Sequence, residues 1–515
     1  MDLATEIRAL IAANVPMVHL VTYEEERIIR TLLELPAARD MGIIVWDMAD
    51  GFTEMRRGTQ PFTLEDKPTP EAALQFIAQK APTNQIFVLR DFHHAWRTKP
   101  AYVTRKLRNL APKLRGKGQY LFFITPEPGL PAELKDDVVV LHVPYPDADD
   151  LNRLFDQIKR ERDPDGRLRP EVKGKLVSSA LGLTTSQARV AFSRVYAQYN
   201  RFDERGIDLV TWAKRDIIRE SGALEYWPAE EGEHDVGGLD LMKAWLSKRG
   251  GAFSDSAREH KLPYPKGAML TGIPGTGKSL SVKMLSGLWK MPLLRLDVGT
   301  LFGSLLGESE ANLRKAMSLA EAVSPCILWI DEIEKAFAGT DTKSINAGSS
   351  TRVFGSFLTW MQERRTPVFV AATANDISGL PVELMSRFDR TFFLELPNAA
   401  ERRQIFLIHL RNAGAEFPET NPAFHIEELV SVSKGYVGRE IARAVVEGQF
   451  TAFADGGRPI EQRDIIGALK EVVPISRSHA EPLKAISKWV EEGRAFPASS
   501  PEQQTAQNTG RVITV

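Results

Sequence analysis

Residues 272–279 read G-I-P-G-T-G-K-S, and no other stretch constrains the fold of this 515-residue chain as tightly. A polyphosphate needs many hydrogen-bond donors at close range, and glycines let backbone N–H groups curl around it with no Cβ in the way. Gly272, Gly275 and Gly277 supply that freedom. Lys278 is placed to reach the β- and γ-phosphates and the Ser279 hydroxyl to sit on Mg²⁺, while a helix starting here turns its positive end toward the anion. The flanks agree: Ala268-Met269-Leu270 is a short apolar strand, and Ser281 to Trp289 has helical spacing.

A second motif follows in Ile327-Leu328-Trp329-Ile330-Asp331-Glu332, an apolar run that ends in two carboxylates. A buried parallel strand delivers charge at its C-terminal edge in this way. Asp331 is expected to hold the Mg²⁺ shell and Glu332 to orient or deprotonate the attacking water. A strand that merely ends in surface acids gives the same string; its position behind a phosphate loop decides for the metal reading.

With these two motifs in place, residues 235 to 475 resemble the AAA family of ring ATPases. Asp235-Val236-Gly237-Gly238-Leu239 looks like the segment that flanks the adenine, and Gly299 to Glu310 like the first pore loop. Asn375 resembles sensor 1, which helps place the lytic water. Ser386-Arg387-Phe388-Asp389-Arg390 matches the arginine-finger box, whose guanidinium groups reach the γ-phosphate of the neighbouring subunit. Arg439, in K-G-Y-V-G-R-E-I from Lys434, falls on the sensor 2 helix; it either contacts phosphate in cis or is an exposed helix arginine. The strings G-E-S-E-A-N, F-G-S-F-L-T-W-M-Q-E and A-T-A-N-D-I-S-G-L-P-V-E-L are most similar to the ycf-type AAA proteins of cyanobacteria and algal plastids.

The resemblance implies a fold, a site and partners. The fold is α/β, an AAA+ P-loop NTPase with a parallel-sheet αβα domain and a small helical lid, preceded by a degenerate AAA+-like α/β domain. ATP is expected on Val236, Gly237, Gly272, Pro274, Gly275, Thr276, Gly277, Lys278, Ser279, Leu280, Asp331 and Arg439, with Mg²⁺ on Ser279 and Asp331. Catalysis falls to Glu332, Asn375, Arg387 and Arg390, with Arg387 weighted above Arg390, which follows an acid rather than lying in a helix. The implied partners are ATP or ADP, a homo-oligomeric ring of hexamer type and a protein client. Against threading stands Leu305, at the pore-loop position where unfoldases carry an aromatic residue, with Phe302 displaced toward the strand.

The N-terminal third repeats the pattern without its chemistry. Met41-Gly42-Ile43-Ile44-Val45-Trp46-Asp47 parallels Met291 to Asp297, and Gly129-Leu130-Pro131-Ala132-Glu133-Leu134 mirrors Gly379 to Leu384 at the same separation. Where the phosphate loop belongs, this copy reads V-T-Y-E-E-E-R-I from Val21, whose glutamates repel a triphosphate. Phe92 is expected in place of the catalytic glutamate, and Lys135-Asp136-Asp137 in place of the arginine box. Domain limits follow: 1–222 for the degenerate domain, with its α/β body over residues 1–146 and its lid over 147–222; a linker at 223–234 containing Pro228; the ATPase α/β domain at 235–397; its lid at 398–490; and a disordered polar tail at 491–515.

A net charge of −1 gives no bias toward nucleic acid or membrane. The local exception is Arg105, Lys106, Arg108, Lys113, Arg115 and Lys117, which read either as a solvated helix face or, less weightily, as a nucleic-acid contact. The single cysteine, Cys326, excludes an intramolecular disulfide and fits a reducing compartment, cytoplasm or plastid stroma. No apolar run is long enough to cross a bilayer. Adjacent His93 and His94 are expected to point apart, and no cluster has metal-ligand spacing beyond the Mg²⁺ site. Two functions remain in view: an ATPase that remodels a protein complex, and an ATP-gated scaffold with little turnover, with a nucleic-acid-associated ATPase behind them.

Overall fold

The computed structural model describes residues 3–36, 41–55, 62–65, 69–79, 83–127, 129–220, 222, 224–228, 231–253, 255–297, 308–336, 347–377, 379–415, 424–478, 488–489 and 491–501. Leu305 and Phe302, with most of the expected pore loop, lie outside them. The chain forms two compact units, Met1–Thr211 and Trp212–Val515.

Strands form where β-branched and aromatic residues run together between turn residues. In the first unit these are β1 (Met17–Val21), β2 (Gly42–Asp47), β3 (Gly51–Met55), β4 (Phe62–Glu65), β5 (Gln85–Arg90), β6 (Tyr120–Thr125) and β7 (Val139–His142), in the order β4-β3-β2-β5-β6-β1-β7. β2, β5, β6, β1 and β7 run parallel; β3 and β4 extend the edge antiparallel. Alternate residues of β1, β2, β5 and β6 feed two cores. Val18, Val45, Val88 and Phe122 pack against the helices Leu3–Ala12 and Glu25–Glu34. Ile44, Trp46, Phe87 and Phe123 pack against Pro70–Gln79 and Pro100–Lys117. Each such side chain removed from water contributes about 2 kcal/mol.

The second unit repeats this plan with β8 (Leu224–Trp227), β9 (Gly267–Thr271), β10 (Leu293–Leu296), β11 (Cys326–Ile330), β12 (Val368–Ala374), β13 (Arg390–Phe393) and β14 (Phe496–Pro497). Their order, β14-β13-β9-β12-β11-β10-β8, matches the first sheet with β13, β9, β12, β11 and β10 in the places of β7, β1, β6, β5 and β2. A helical lid follows, packed through Phe406, Leu410, Leu429, Ile441, Val445 and Leu469.

Matching registers fix the residue correspondence. Ile86 lies opposite Ile43 and Tyr120; Ile327 lies opposite Leu293 and Phe369. Counting onward puts Arg90 at the place of Asp331, Asp91 at Glu332, Ile124 at Thr373 and Pro126 at Asn375. The expectation for Phe92 is therefore corrected by one residue. Asp91 and Glu332 share a left-handed backbone with φ of 50°, while Phe92 is buried in the core against Trp46, Trp96 and Phe123.

Three other expectations change. Residues 224–227, placed in a linker, form β8, antiparallel to β10 from Leu224↔Leu296 to Trp227↔Leu293, because Leu224 is apolar enough to be buried and Trp227 packs edge-on against Trp329. The polar tail is docked as far as Ser500, whose N–H donates to Asp240 Oδ1 at 2.8 Å: Phe496 and Pro497 pair with Phe392 and Phe393, and Ala495 and Ala498 are buried. His93 and His94 do not point apart; their rings lie 4.0 Å apart because both open the helix His93–Thr98, where consecutive side chains diverge less than on a strand.

Candidate functional site

At the C-terminal edge of β9 the chain turns through Gly272 (φ 155°), Gly275 (φ 94°) and Gly277 (φ 97°) before the helix Lys278–Trp289 begins. A Cβ on Gly272 would meet the Leu394 carbonyl at 2.5 Å, so the glycine permits a close approach as well as a conformation. Thr276 Oγ1 donates to the Ile273 carbonyl at 2.9 Å and tightens the loop. The loop opens onto a cavity of about 460 Å³.

Lys278 is buried, and its ammonium donates to the Gly272 carbonyl at 2.7 Å and the Ile273 carbonyl at 3.0 Å. Burial pulls its pKa down to about 8, against the opposing pull of Glu334 and Asp331. The Ser279 hydroxyl donates to Asp331 Oδ1 at 3.2 Å, and Thr373 Oγ1 donates to the same oxygen at 2.6 Å. Glu332 N–H donates to Thr373 Oγ1 at 3.0 Å, so one hydroxyl fixes both acids. Asn375 Nδ2 donates to Glu332 Oε1 at 3.3 Å, and Lys335 pairs with Oε2. The Lys335 hydrogen bond, more than Asn375 or Lys278, holds the Glu332 carboxyl below the usual range.

The lid closes the other side. Arg439 lines the cavity at the start of the helix Gly438–Ala454, its backbone N–H donating to the Gly275 carbonyl at 3.2 Å. The cavity also takes in Val236, Gly237, Pro274, Gly275, Thr276, Gly277, Lys278, Ser279, Leu280, Asp331, Glu332 and Asn375. Glu401 Oε1 accepts from Leu239 N–H at 2.9 Å, and Gln404 Oε1 from Gly238 N–H at 2.8 Å, pinning the 236–239 segment to the lid helix Ala399–Asn412.

Arg387 and Arg390 are not among the residues lining the cavity. They lie at the opposite end of the sheet: Arg390 pairs with Ala268 at the start of β9, and Asp389 Oδ2 accepts from Lys266 and Gly267 N–H at 2.7 and 3.0 Å. β9 has five residues, so about 13 Å separates its two ends. Arg387 Nε is buried without a hydrogen-bond partner, whereas the Arg390 guanidinium stacks on Phe496 at 4.1 Å.

Sequence reasoning missed Thr373, Glu395, Ile405, Ile408, His409 and Ala442 in the cavity wall. Ile405, Ile408 and His409 have helical spacing in the first lid helix, which was the available signal. It was masked because Phe406, Leu407 and Leu410, buried in the lid core, make that helix apolar on more than one side.

The residues present fit Mg·ATP. The loop has three glycines at positive φ, a buried lysine whose ammonium finds only backbone carbonyls, and a hydroxyl beside a carboxylate suited to a hard cation. Fold and cavity together define an AAA ATPase. The model of the ATPase family associated with various cellular activities matches residues 268–396, and models of the N-terminal and second domains of SpoVK-like AAA ATPases match 3–143 and 149–221. Within that class the chain belongs to the family of ycf46 AAA domain-containing proteins. It is 36% identical to one of Pyropia yezoensis over 97% of this chain and 100% of the relative, and 35% identical to one of Guillardia theta over 97% of each. It is also 27% identical, over 45% of its length and 39% of the relative, to an ATP-dependent zinc metalloprotease FtsH 2 of Bdellovibrio bacteriovorus. Nucleotide binding and ATP hydrolysis are the general chemistry of AAA ATPases. Among the described residues no helix is long and apolar enough to cross a membrane.

Proposed function

We propose that the chain is a Mg²⁺-dependent ATP hydrolase that works as a ring of identical subunits, of hexamer type, in the cytoplasm or a plastid stroma, and couples turnover to rearrangement of a protein complex. The observation that carries this is the separation of the chemistry. Lys278, Ser279, Asp331, Glu332 and Asn375 share one cavity, while Arg387 and Arg390 sit across the sheet from it.

In this reading Lys278 leaves the Gly272 and Ile273 carbonyls to hold the β- and γ-phosphates. Ser279 and Asp331 hold Mg²⁺, which when bound offsets phosphate charge. Glu332, oriented by Asn375, takes the proton from the water, and Arg439 reaches the phosphates from the lid. Arg387, with Arg390 beside it, serves the cavity of the next subunit, so a lone subunit lacks a transition-state charge partner. The adenine lies along Val236, Gly237 and Ile405.

A scaffold reading with slow turnover has one observation in its favour. Glu332 is paired with Lys335 and held below its usual pKa, and a carboxylate so held is a poor base until that lysine leaves. Steady-state hydrolysis measured against protein concentration, with mass photometry on the same samples, separates the two. Turnover per subunit that rises as rings assemble, and disappears in Glu332→Gln while ATP stays bound, supports the hydrolase. ATP-bound rings with phosphate release below about 1 s⁻¹ support the scaffold. Turnover independent of concentration removes the role given to Arg387.

A further inference from the structure

The carboxylate assigned to Mg²⁺ has, besides Ser279 and Thr373, a third partner that no motif predicts. Arg295 stands in β10 opposite Glu225 of β8 on one side and Trp329 of β11 on the other. Asp331 follows Ile330, the last residue of β11, and so stands just beyond Trp329 at the end of the strand beside β10. The Arg295 guanidinium lies over the Trp329 ring at 5.1 Å and divides itself between two acids. Its Nη1 is 3.5 Å from Glu225 Oε2 and its Nη2 is 3.4 Å from Asp331 Oδ2. Asp331 Oδ1 is already taken by Ser279 and Thr373.

From this arrangement we infer that Arg295 is a positioning residue that sets the Mg²⁺ requirement of the site, and that Glu225 tunes it from the edge strand. The inference rests on the Mg·ATP reading of the cavity. A guanidinium on the metal's own carboxylate orients that carboxylate but also places a positive charge beside the seat of a dication, weakening its attraction. Sharing the guanidinium with Glu225 moderates the repulsion. A displacement of β8 that removes Glu225 delivers the whole charge to Asp331. The edge strand that follows directly on the helix Arg205–Glu220 is thereby wired to the metal site through one side chain.

The two acids make the test asymmetric. In the full-length protein, binding of a fluorescent ATP analogue is followed by polarisation while Mg²⁺ is titrated, without any measurement of turnover. Arg295→Gln is expected to lower the half-saturating Mg²⁺ concentration roughly threefold to tenfold, and Glu225→Gln to raise it about twofold. The double variant should match Arg295→Gln, because Glu225 acts only through the arginine. If Arg295 and Glu225 merely help to pack the edge strand, both single variants move the requirement in the same direction, and that result overturns the inference. An unchanged requirement in Arg295→Gln overturns it as well. A wild-type protein whose nucleotide binding ignores Mg²⁺ sinks the Mg·ATP reading and this inference together, whereas same-direction shifts around a Mg²⁺-dependent wild type sink the inference alone.

Discussion

The two α/β domains share the order and register of five strands and even a left-handed residue just after the equivalent strands β5 and β11, yet they treat the same location in opposite ways. In the second, β9 and its helix are joined by six residues, 272–277, that leave room for an anion between loop and lid. In the first, β1 and its helix are joined by only three, Thr22 to Glu24, and the chain brings its own anion. Glu24 Oε1 accepts the Thr185 N–H at the start of the helix Thr185–Tyr199, while Arg27 pairs with Glu24 and with Asp150 of the helix Ala148–Arg162. Nearby, Arg90 stands where Asp331 would hold metal and pairs with Glu25 at 3.2 Å and Asp47 at 3.8 Å. A carboxylate thus does permanently in the first domain what a phosphate is proposed to do reversibly in the second. Side-chain charges of the first domain thus occupy the places where the second is proposed to hold phosphate and metal.

The comparison can be broken most directly at Glu24, whose side chain is only 6% exposed. Glu24→Ala leaves the largely buried Arg27 with Asp150 as its remaining acid and the Thr185 N–H without its acceptor, and should cost the first domain about 3 kcal/mol. Hydrogen exchange of the amides of residues 185–199 would report it as faster opening, with nucleotide affinity unchanged. If exchange there stays at the wild-type rate, Glu24 is not the latch.

A second difference is set by pH. His19 is buried in β1, its Nε2 2.6 Å from Thr125 Oγ1, and burial pulls its pKa from 6.5 to about 4. The unfolded chain therefore binds the proton more readily. The first domain should keep full stability above pH 6.5 and lose up to about 3 kcal/mol as pH falls from 6.5 to 4, with little further loss from this group below that. Calorimetric melting of the wild type and His19→Gln across this range checks the slope, which the variant should flatten.

Nucleotide binding should belong to the second domain alone. Lys278→Ala should weaken ATP binding about a hundredfold, equivalent to about 2.7 kcal/mol, through loss of charge-assisted hydrogen bonds. Residual tight binding measured by titration calorimetry would show that the first domain is not empty of function. The smallest effect is in the pH dependence of that binding. Lys278 has a pKa of about 8 in the free site, and an adjacent triphosphate raises it, so binding takes up a proton once the pH exceeds 8. Affinity should be about tenfold weaker at pH 9 than at pH 7, and should return as the pH is lowered.

Much of this was legible in the sequence because phosphate chemistry demands particular residues at fixed spacing. Residues 274–279 of the loop, the acids after β11 and the polar residue after β12 line one cavity as their order implies, while Gly272 lies behind it against the Leu394 carbonyl. Legibility ended where chemistry stopped dictating identity. The wall formed by Ile405, Ile408 and Ala442 needs only apolar surface, which many residues provide. Arg295 looked like any strand residue, since its partner Glu225 lay in a segment whose acids and Pro228 read as a linker. The Phe92 assignment slipped by one because repeated apolar runs give the period of a strand without its register, and only paired neighbours supply that.

The outer strands of the second sheet carry a further consequence. β8 and β14 come from opposite ends of the unit and cover the flanks of β10 and β13, with Ala498 N–H donating to the Phe393 carbonyl at 2.9 Å and Met242 N–H to the Ala498 carbonyl at 3.0 Å. A fragment cut where the motifs alone would place its limits, at 235 and 490, keeps every residue of the cavity wall and strips both covers. Its β10 and β13 would then offer rows of unpaired backbone groups to any neighbouring chain. Such a fragment would associate through its raw flanks, and the particles it formed would be easily mistaken for the proposed ring.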